Sequence, residues 1–212
     1  MVACPCSEHH DTRRMVLTGG PGAGKTAVLE IVRRSLCEHV RVLPEAASIV
    51  FGGGFPREDD PQCRRAAQLA IFHVQRQLEA TGDAHNAAIV LCDRGTVDGL
   101  AYWPASAEDF WASTGTTLEA ELERYDAVVH LRTPAAEQGY NRQNPVRIES
   151  AAAAAEIDAR ILRIWAPHPR RHLVEASGDF LDKAAATLAI LRHELPECCA
   201  HHVRSALPEV GR

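Results

Sequence analysis

The sequence predicts an α/β fold, a three-layer α/β/α sandwich around a five-stranded parallel sheet with right-handed crossovers. Three observations carry this expectation. Five short apolar runs, at 14–18, 40–43, 88–92, 127–131 and 172–176, alternate with longer stretches of helical period. The first run leads directly into Gly19-Gly20-Pro21-Gly22-Ala23-Gly24-Lys25-Thr26, which fits the phosphate-loop pattern G-x-x-x-x-G-K-[ST] at every fixed position. The third run closes on Asp93, an acid ending an uninterrupted buried-strand pattern.

Arg14-Met15-Val16-Leu17-Thr18 reads as the first strand, and Thr26 to Leu36 places Val28, Leu29, Ile31, Val32 and Leu36 on one helical face. Strand, loop and helix thus arrive in the order a phosphate site requires. Glycines let successive backbone N–H groups point inward at phosphate oxygens, and the helix start adds the positive end of its dipole. Gly20, Gly22, Ala23, Gly24, Lys25, Thr26 and Ala27 are the expected nucleotide-binding residues. Lys25 is expected on the β- and γ-phosphates, and Thr26 on Mg²⁺. A dinucleotide fingerprint is excluded, because Lys25 stands where G-x-G-x-x-G begun at Gly20 needs glycine.

Val40-Arg41-Val42-Leu43 is the second strand, and it delivers Glu45 to the end of the sheet where ligands bind. Glu45 is a candidate general base, with a helix-starting role as the alternative. Glycine and proline mark 51–56 as a loop, and 57–60 continue it. From Pro61 a helix is expected, with Ala66, Leu69, Ala70, His73, Val74, Gln77 and Leu78 on its buried face. Asp93 suits the ordering of Mg²⁺ and its water shell, and Arg94 the clamping of a transferring phosphate, unless it only pairs with Asp98 or Glu45. Tyr102, Trp103, Phe110 and Trp111 read as core packing, the alternative being the wall of an acceptor pocket.

Thr117 to Arg124 reads as a helix and Ala127-Val128-Val129-His130-Leu131 as the fourth strand. Over 132–149 Pro134, Gly139, Asn141, Asn144 and Pro145 break the pattern while Arg132, Arg142 and Arg147 add positive charge. This reads as a lid whose arginines neutralise charge on a moving phosphoryl group. A helix from Ser150 with Ile157, Ile161, Ile164 and Trp165 inward, a fifth strand at His172–Ala176, and a last helix carrying Leu181, Ala184, Leu188, Leu191 and Leu195 complete the domain.

The 212 residues suit one domain, expected over 13–195, with a poorly ordered lead-in at 1–12 and a tail at 196–212. A net charge of −5 and no long Lys/Arg run argue against nucleic-acid binding on a broad basic surface. No apolar run approaches the roughly 20 residues of a membrane span, and the N-terminus lacks a signal peptide's apolar core, so a cytoplasmic location is expected. Seven cysteines in such a chain read as free thiols. Cys4, Cys6, His9 and His10 at one end and Cys198, Cys199, His201 and His202 at the other would supply a zinc site only if the termini met. Neither spacing matches a common finger or ribbon pattern, and the adopted reading is polar chain ends.

The phosphate loop, Glu45, the Asp93-Arg94 pair and the arginine-bearing lid resemble the nucleoside-kinase branch of P-loop proteins, with Asp in the acid–Arg pair as in thymidylate kinases. More closely, GGPGAGKT, LPEAA, LCDRGTVDGLAYW and NPVRIESA together resemble the small "AAA domain" ATP/GTP-binding family over about residues 13 to 192. That family includes the TRPL translocation defect protein and is similar to the kinase domain of the nicotinamide riboside kinase regulators. The resemblance implies a kinase-like P-loop NTPase fold, a nucleotide at Gly22, Gly24, Lys25 and Thr26, metal ordering at Asp93, and lid duties for Arg142 and Arg147. By position it also implies catalytic duties for Glu45 and Arg94.

The function expected first is phosphotransfer from Mg-ATP to a hydroxyl of a small, nucleoside-like acceptor. The second is an ATP- or GTP-dependent switch acting through a protein partner, with the Gly52-Gly53-Gly54 loop and the lid as its moving parts. No N-K-x-D or T-K-x-D segment reads a guanine base, so ATP is preferred and GTP kept as the alternative. A ring-forming ATPase is disfavoured because too little chain follows the last helix for an added helical domain.

Overall fold

The computed structural model of the chain describes residues 6–83, 87–134, 151–176 and 180–200. Five parallel strands, β1 (Arg13–Thr18), β2 (Val40–Val42), β3 (Ile89–Asp93), β4 (Ala127–Leu131) and β5 (Arg171–Val174), form one sheet in the order β2-β3-β1-β4-β5. Successive residues of a strand face opposite sides, so a strand covered on both sides must be apolar throughout. Met15, Leu17, Ile89, Leu91 and Val129 pack on one face with Val28, Leu29 and Val32 of α1 (Lys25–Ser35) and Leu188 and Leu191 of α7 (Phe180–Glu194). Val16, Val90, Cys92 and Val128 pack on the other with Ile161 of α6 (Ala151–Ile164) and with Trp165. This is the three-layer sandwich expected from the alternation of runs.

The remaining helices are α2 (Ala46–Gly52), α3 (Pro61–Asp83), α4 (Ala107–Thr114), α5 (Leu118–Leu122) and α8 (Glu197–Ala200), with a 3₁₀ turn at Thr96–Tyr102. Several boundaries depart from expectation. The segment read as a loop from Phe51 is helical through Gly52, with Glu45 at the N-cap position of α2 but no side-chain capping hydrogen bond from it to the helix. In α3 the inward face is Ala67, Phe72, Gln75 and Glu79, whereas Ala66, His73 and Gln77 of the expected face are exposed. The reason is a polar core. Glu79 is fully buried, accepts hydrogen bonds from Gln75 Nε2 and Tyr125 OH, both at 2.8 Å, and pairs with Arg124, so its burial is compensated. Leu69 and Leu78 of the expected face do pack against the core, but the most buried line runs through Gln75 and Glu79, which a reading of apolar residues alone passes over.

Trp103 and Phe110 are buried with Phe72 in a small aromatic cluster, with edge-on contacts at 5.1 and 6.1 Å between ring centroids. They are core, and the acceptor-wall alternative does not apply to them. Residues 6–12, expected as a loose lead-in, lie against the sheet: His10 is buried, and Thr12 Oγ1 donates to the Ala87 carbonyl at 2.8 Å. The chain after Pro196, expected as tail, begins with α8, whose Cys199 is buried. None of Cys6, Cys37, Cys63, Cys92 and Cys199 is in a disulfide. Among the described residues no helix is long and apolar enough to cross a membrane.

Candidate functional site

β1 lies at the centre of the sheet, with β3 and β4 on either side, so its carboxyl end opens where ligands of parallel sheets bind. The chain turns there through three positive φ angles: Gly19 at 137°, Gly22 at 81° and Gly24 at 91°. At Gly19 the requirement is also steric, since a Cβ would sit 2.1 Å from the Leu131 carbonyl oxygen. Gly24 then caps α1, leaving the helix's first N–H groups aimed into the loop. Thr26 and Ala27 are exposed on the first turn of α1.

Lys25 is buried beneath the loop, its Nζ donating to the carbonyls of Gly19 at 2.9 Å and Gly20 at 3.1 Å. Burial and then the charge of Arg94 lower its pKa to about 8, against the pull of Asp93, Glu45 and Asp98. A cation in this position is under-compensated, so a bound polyanion would supply the charge it lacks.

Asp93 is drawn to the same place by the register of the sheet, which pairs it with Leu17 one residue before the end of β1. Its Oδ1 is buried and has no hydrogen-bond partner among the described residues. Burial pushes the carboxyl up to about 6, Glu45 and Asp98 adding to the shift and Lys25 and Arg94 opposing it. An orphaned buried carboxylate oxygen within electrostatic reach of Lys25 at the start of α1 is a donor of the hard-oxygen kind that Mg²⁺ takes.

Arg94 is the hub. Its Nε donates to Glu45 Oε1 at 2.9 Å, while Nη1 reaches the Gly19 carbonyl at 3.1 Å and Asp98 Oδ2 at 3.3 Å. Its backbone sits at φ 73°, the left-handed region, with its N–H bonded to the Leu17 carbonyl at 3.1 Å. For a side chain of this size that conformation costs about 1–2 kcal/mol. Glu45 accepts from Ser48 Oγ at 2.5 Å as well as from Arg94. Burial works to raise the Glu45 pKa, but Arg94, Ser48 and Lys25 outweigh it and hold the group ionised.

Lys25, Glu45, Asp93 and Arg94 therefore form one electrostatically coupled cluster at the phosphate loop. Arg142 and Arg147, and with them the 135–149 part of the expected lid, lie outside the described residues. Three supporting residues complete the site, of which the sequence reading names only Asp98, as a partner of Arg94. Asp158 accepts from the Gly20 N–H and from His130 Nε2, both at 2.9 Å, and forms an ion pair with Arg132. Asp98 is buried and accepts from Thr18 Oγ1 and Trp165 Nε1, both at 2.6 Å. Lys183 donates to the carbonyls of Ala23 at 3.2 Å and Arg132 at 2.9 Å. The one available signal was a charged residue at an inward helical position, as Asp158 is between Ala154 and Ile161.

Two outcomes follow from this geometry. Arg94→Ala and Arg94→Gly both remove the ion pairs, but only glycine relieves the left-handed backbone, so the glycine variant unfolds at higher urea, by about 1 kcal/mol in stability. Equal stabilities would contradict the strain. Because folded Asp93 binds its proton more tightly than the unfolded carboxyl, the folded state is favoured below the ordinary 3.8 and loses that advantage as pH rises through about 6. Asp93→Asn is therefore expected to stabilise the nucleotide- and metal-free protein at pH 8 by on the order of 2 kcal/mol, the gain vanishing toward pH 4. Destabilisation at pH 8 in urea unfolding would show a well-compensated carboxylate.

Comparison with known proteins bears on the same elements. A search of solved structures finds the thymidylate kinase of Candida albicans, with a TM-score of 0.60 and 15% identity over 86% of this chain and 91% of that one. The thymidylate kinase of Ehrlichia chaffeensis follows with a TM-score of 0.54 and 13% identity over 85% of this chain and 98% of that one. At such identities the likeness is one of fold, that of the kinase-like branch of P-loop proteins. No curated protein sequence matches the chain. The family model described as "AAA domain" matches residues 14–183, from β1 and the phosphate loop to Lys183, and the chain accordingly belongs to the AAA domain family of P-loop NTPases.

Proposed function

We propose that the protein is a phosphotransferase that moves the γ-phosphate of Mg-ATP to a hydroxyl of a small, nucleoside-like acceptor. The observation that carries the reading is the Glu45–Arg94–Gly19 chain of hydrogen bonds, at 2.9 and 3.1 Å. It joins a carboxylate on one element to the phosphate loop through a guanidinium. A carboxylate and a cation fixed together beside a triphosphate site is what transfer to an acceptor asks for, and simple nucleotide binding does not.

In this reading the N–H groups of Gly22, Gly24, Lys25, Thr26 and Ala27 and the Lys25 ammonium hold the triphosphate, while the Gly20 N–H stays on Asp158, with GTP as the alternative donor. Thr26 and Asp93 would hold Mg²⁺, which when bound neutralises phosphate charge. Glu45, kept ionised by Arg94 and Ser48, retains lone pairs enough to accept the acceptor hydroxyl's hydrogen bond and then its proton. The bond from the acceptor oxygen to the γ-phosphorus forms as the β–γ bridging bond breaks, and the diphosphate leaves. Arg94, with Arg142 and Arg147 from the lid, meets the charge that spreads over the transferring oxygens.

One observation favours a second reading, a nucleotide-dependent switch. Glu45 stands at the start of α2, whose other end turns through Gly53 and Gly54, with Ile49 43% exposed on its surface. A ligand that displaces Arg94 from Glu45 would release that helix toward a protein partner.

The two are separated by following the phosphate of labelled Mg-ATP with panels of nucleosides and nucleoside monophosphates. The kinase reading predicts a phosphorylated small product, lost by at least ~100-fold in kcat for Glu45→Gln with nucleotide binding retained. Turnover intact in Glu45→Gln would remove the base. Partner-stimulated hydrolysis with no small product would favour the switch.

A further inference from the structure

We propose that Cys6, His10, His39 and Cys199 form a zinc site that clamps both ends of the chain to the edge of the sheet opposite the phosphate loop. The four ligand atoms lie within 4.8 Å of one another. Cys6 Sγ is 3.6 Å and Cys199 Sγ 3.8 Å from His10 Nε2, and Cys199 Sγ is 3.3 Å from His39 Nδ1. Zinc bonds of about 2.3 Å to sulfur and 2.0–2.1 Å to nitrogen, arranged tetrahedrally, place sulfur and nitrogen about 3.6 Å apart. The three sulfur–nitrogen separations scatter around that edge length.

Three remote segments are brought together by the topology. Cys6 and His10 precede β1, His39 precedes β2, and Cys199 lies on α8 beyond α7, which returns from the carboxyl end of β5. In a parallel sheet all of these fall at the amino-terminal edge. Each segment is also held there by its own backbone. The His39 carbonyl accepts from the N–H groups of Ala88 at 2.9 Å and Ile89 at 3.0 Å, and the Cys199 N–H donates to the Pro196 carbonyl at 2.9 Å. His10 and Cys199 are buried, Cys6 and His39 partly so; Cys199 belongs to the main core and Cys6 packs against it. A cleft of about 400 Å³ lined by His9, His10, Arg13, Glu194 and Glu197 borders the group and offers a route in.

The donor set names the metal. Two thiolates and two imidazoles with no carboxylate select zinc over magnesium or calcium, and four protein ligands close the coordination, the mark of a structural rather than a catalytic site. Its spacing differs from the finger and ribbon patterns because the ligands come from three separate segments, with His39 supplied by a turn that no terminal pattern includes. The proposal is independent of the phosphotransferase reading.

The test uses the full chain without a metal-affinity tag, purified under reducing conditions, with Zn²⁺ and Co²⁺ as probes. One equivalent of zinc per chain is expected by elemental analysis, its removal by a chelator lowering Tm and its return restoring it. Cobalt in its place is expected to show thiolate charge transfer and the intense visible bands of a tetrahedral centre. The double variant His39→Ala/Cys199→Ser should lose both the equivalent and the bands, and the cobalt spectrum of the unaltered chain stands as evidence even where that variant does not fold. A reduced chain that neither retains nor rebinds zinc, a cobalt spectrum without thiolate bands, or a double variant that keeps its metal would each overturn the site.

Discussion

The arrangement at the phosphate loop depends on one buried guanidinium. Arg94 bonds Glu45, Asp98 and the Gly19 carbonyl together, and thus ties α2, the 3₁₀ turn and the loop to one another. Its backbone turns left-handed at φ 73° immediately after β3, and its side chain reaches the Gly19 carbonyl just past the end of β1. The strain at that residue and the raised carboxyl pKa of Asp93 beside it belong to the same design: both cost stability in the ligand-free protein, and both are the kind of stored disadvantage that a bound metal–nucleotide would offset.

The second tier is built from buried charges that hold the residues of the phosphate loop and Arg94 in place. Asp158 fixes Gly20 and His130, Asp98 fixes Thr18 and Trp165, and Lys183 fixes the Ala23 carbonyl. Each has its charge or hydrogen-bonding capacity answered by named partners, which is the condition under which such groups survive burial. They fix the loop between β4, α6 and α7, so its glycines are held open by side chains up to 160 residues away in sequence.

How much of this was legible depended on whether a signal was local. The phosphate loop, Lys25, Asp93 and the five strands follow from contiguous patterns, and Glu45 and Arg94 from their places at strand ends. Asp158, Asp98 and Lys183 owe their roles to partners remote in sequence, and in a one-dimensional reading they are charges on otherwise apolar faces. The same physics misdirected α3, where buried Gln75 and Glu79 pair with Tyr125 and Arg124, and concealed the convergence of Cys6, His10, His39 and Cys199 at the chain ends. Short α2 was missed because Gly52, Gly53 and Gly54 signal a turn more strongly than the preceding residues signal a helix.

The central claim is that the glycine loop with Lys25 is a working triphosphate site in this family member. Titration calorimetry of Mg-ATP and of Mg-GTP into the intact chain and into Lys25→Ala tests it most directly. One nucleotide per chain is expected, bound at least ~10-fold more weakly by the variant, since a buried charge-assisted hydrogen bond to phosphate is lost. Failure of both nucleotides to bind, or equal affinity in Lys25→Ala, would contradict it.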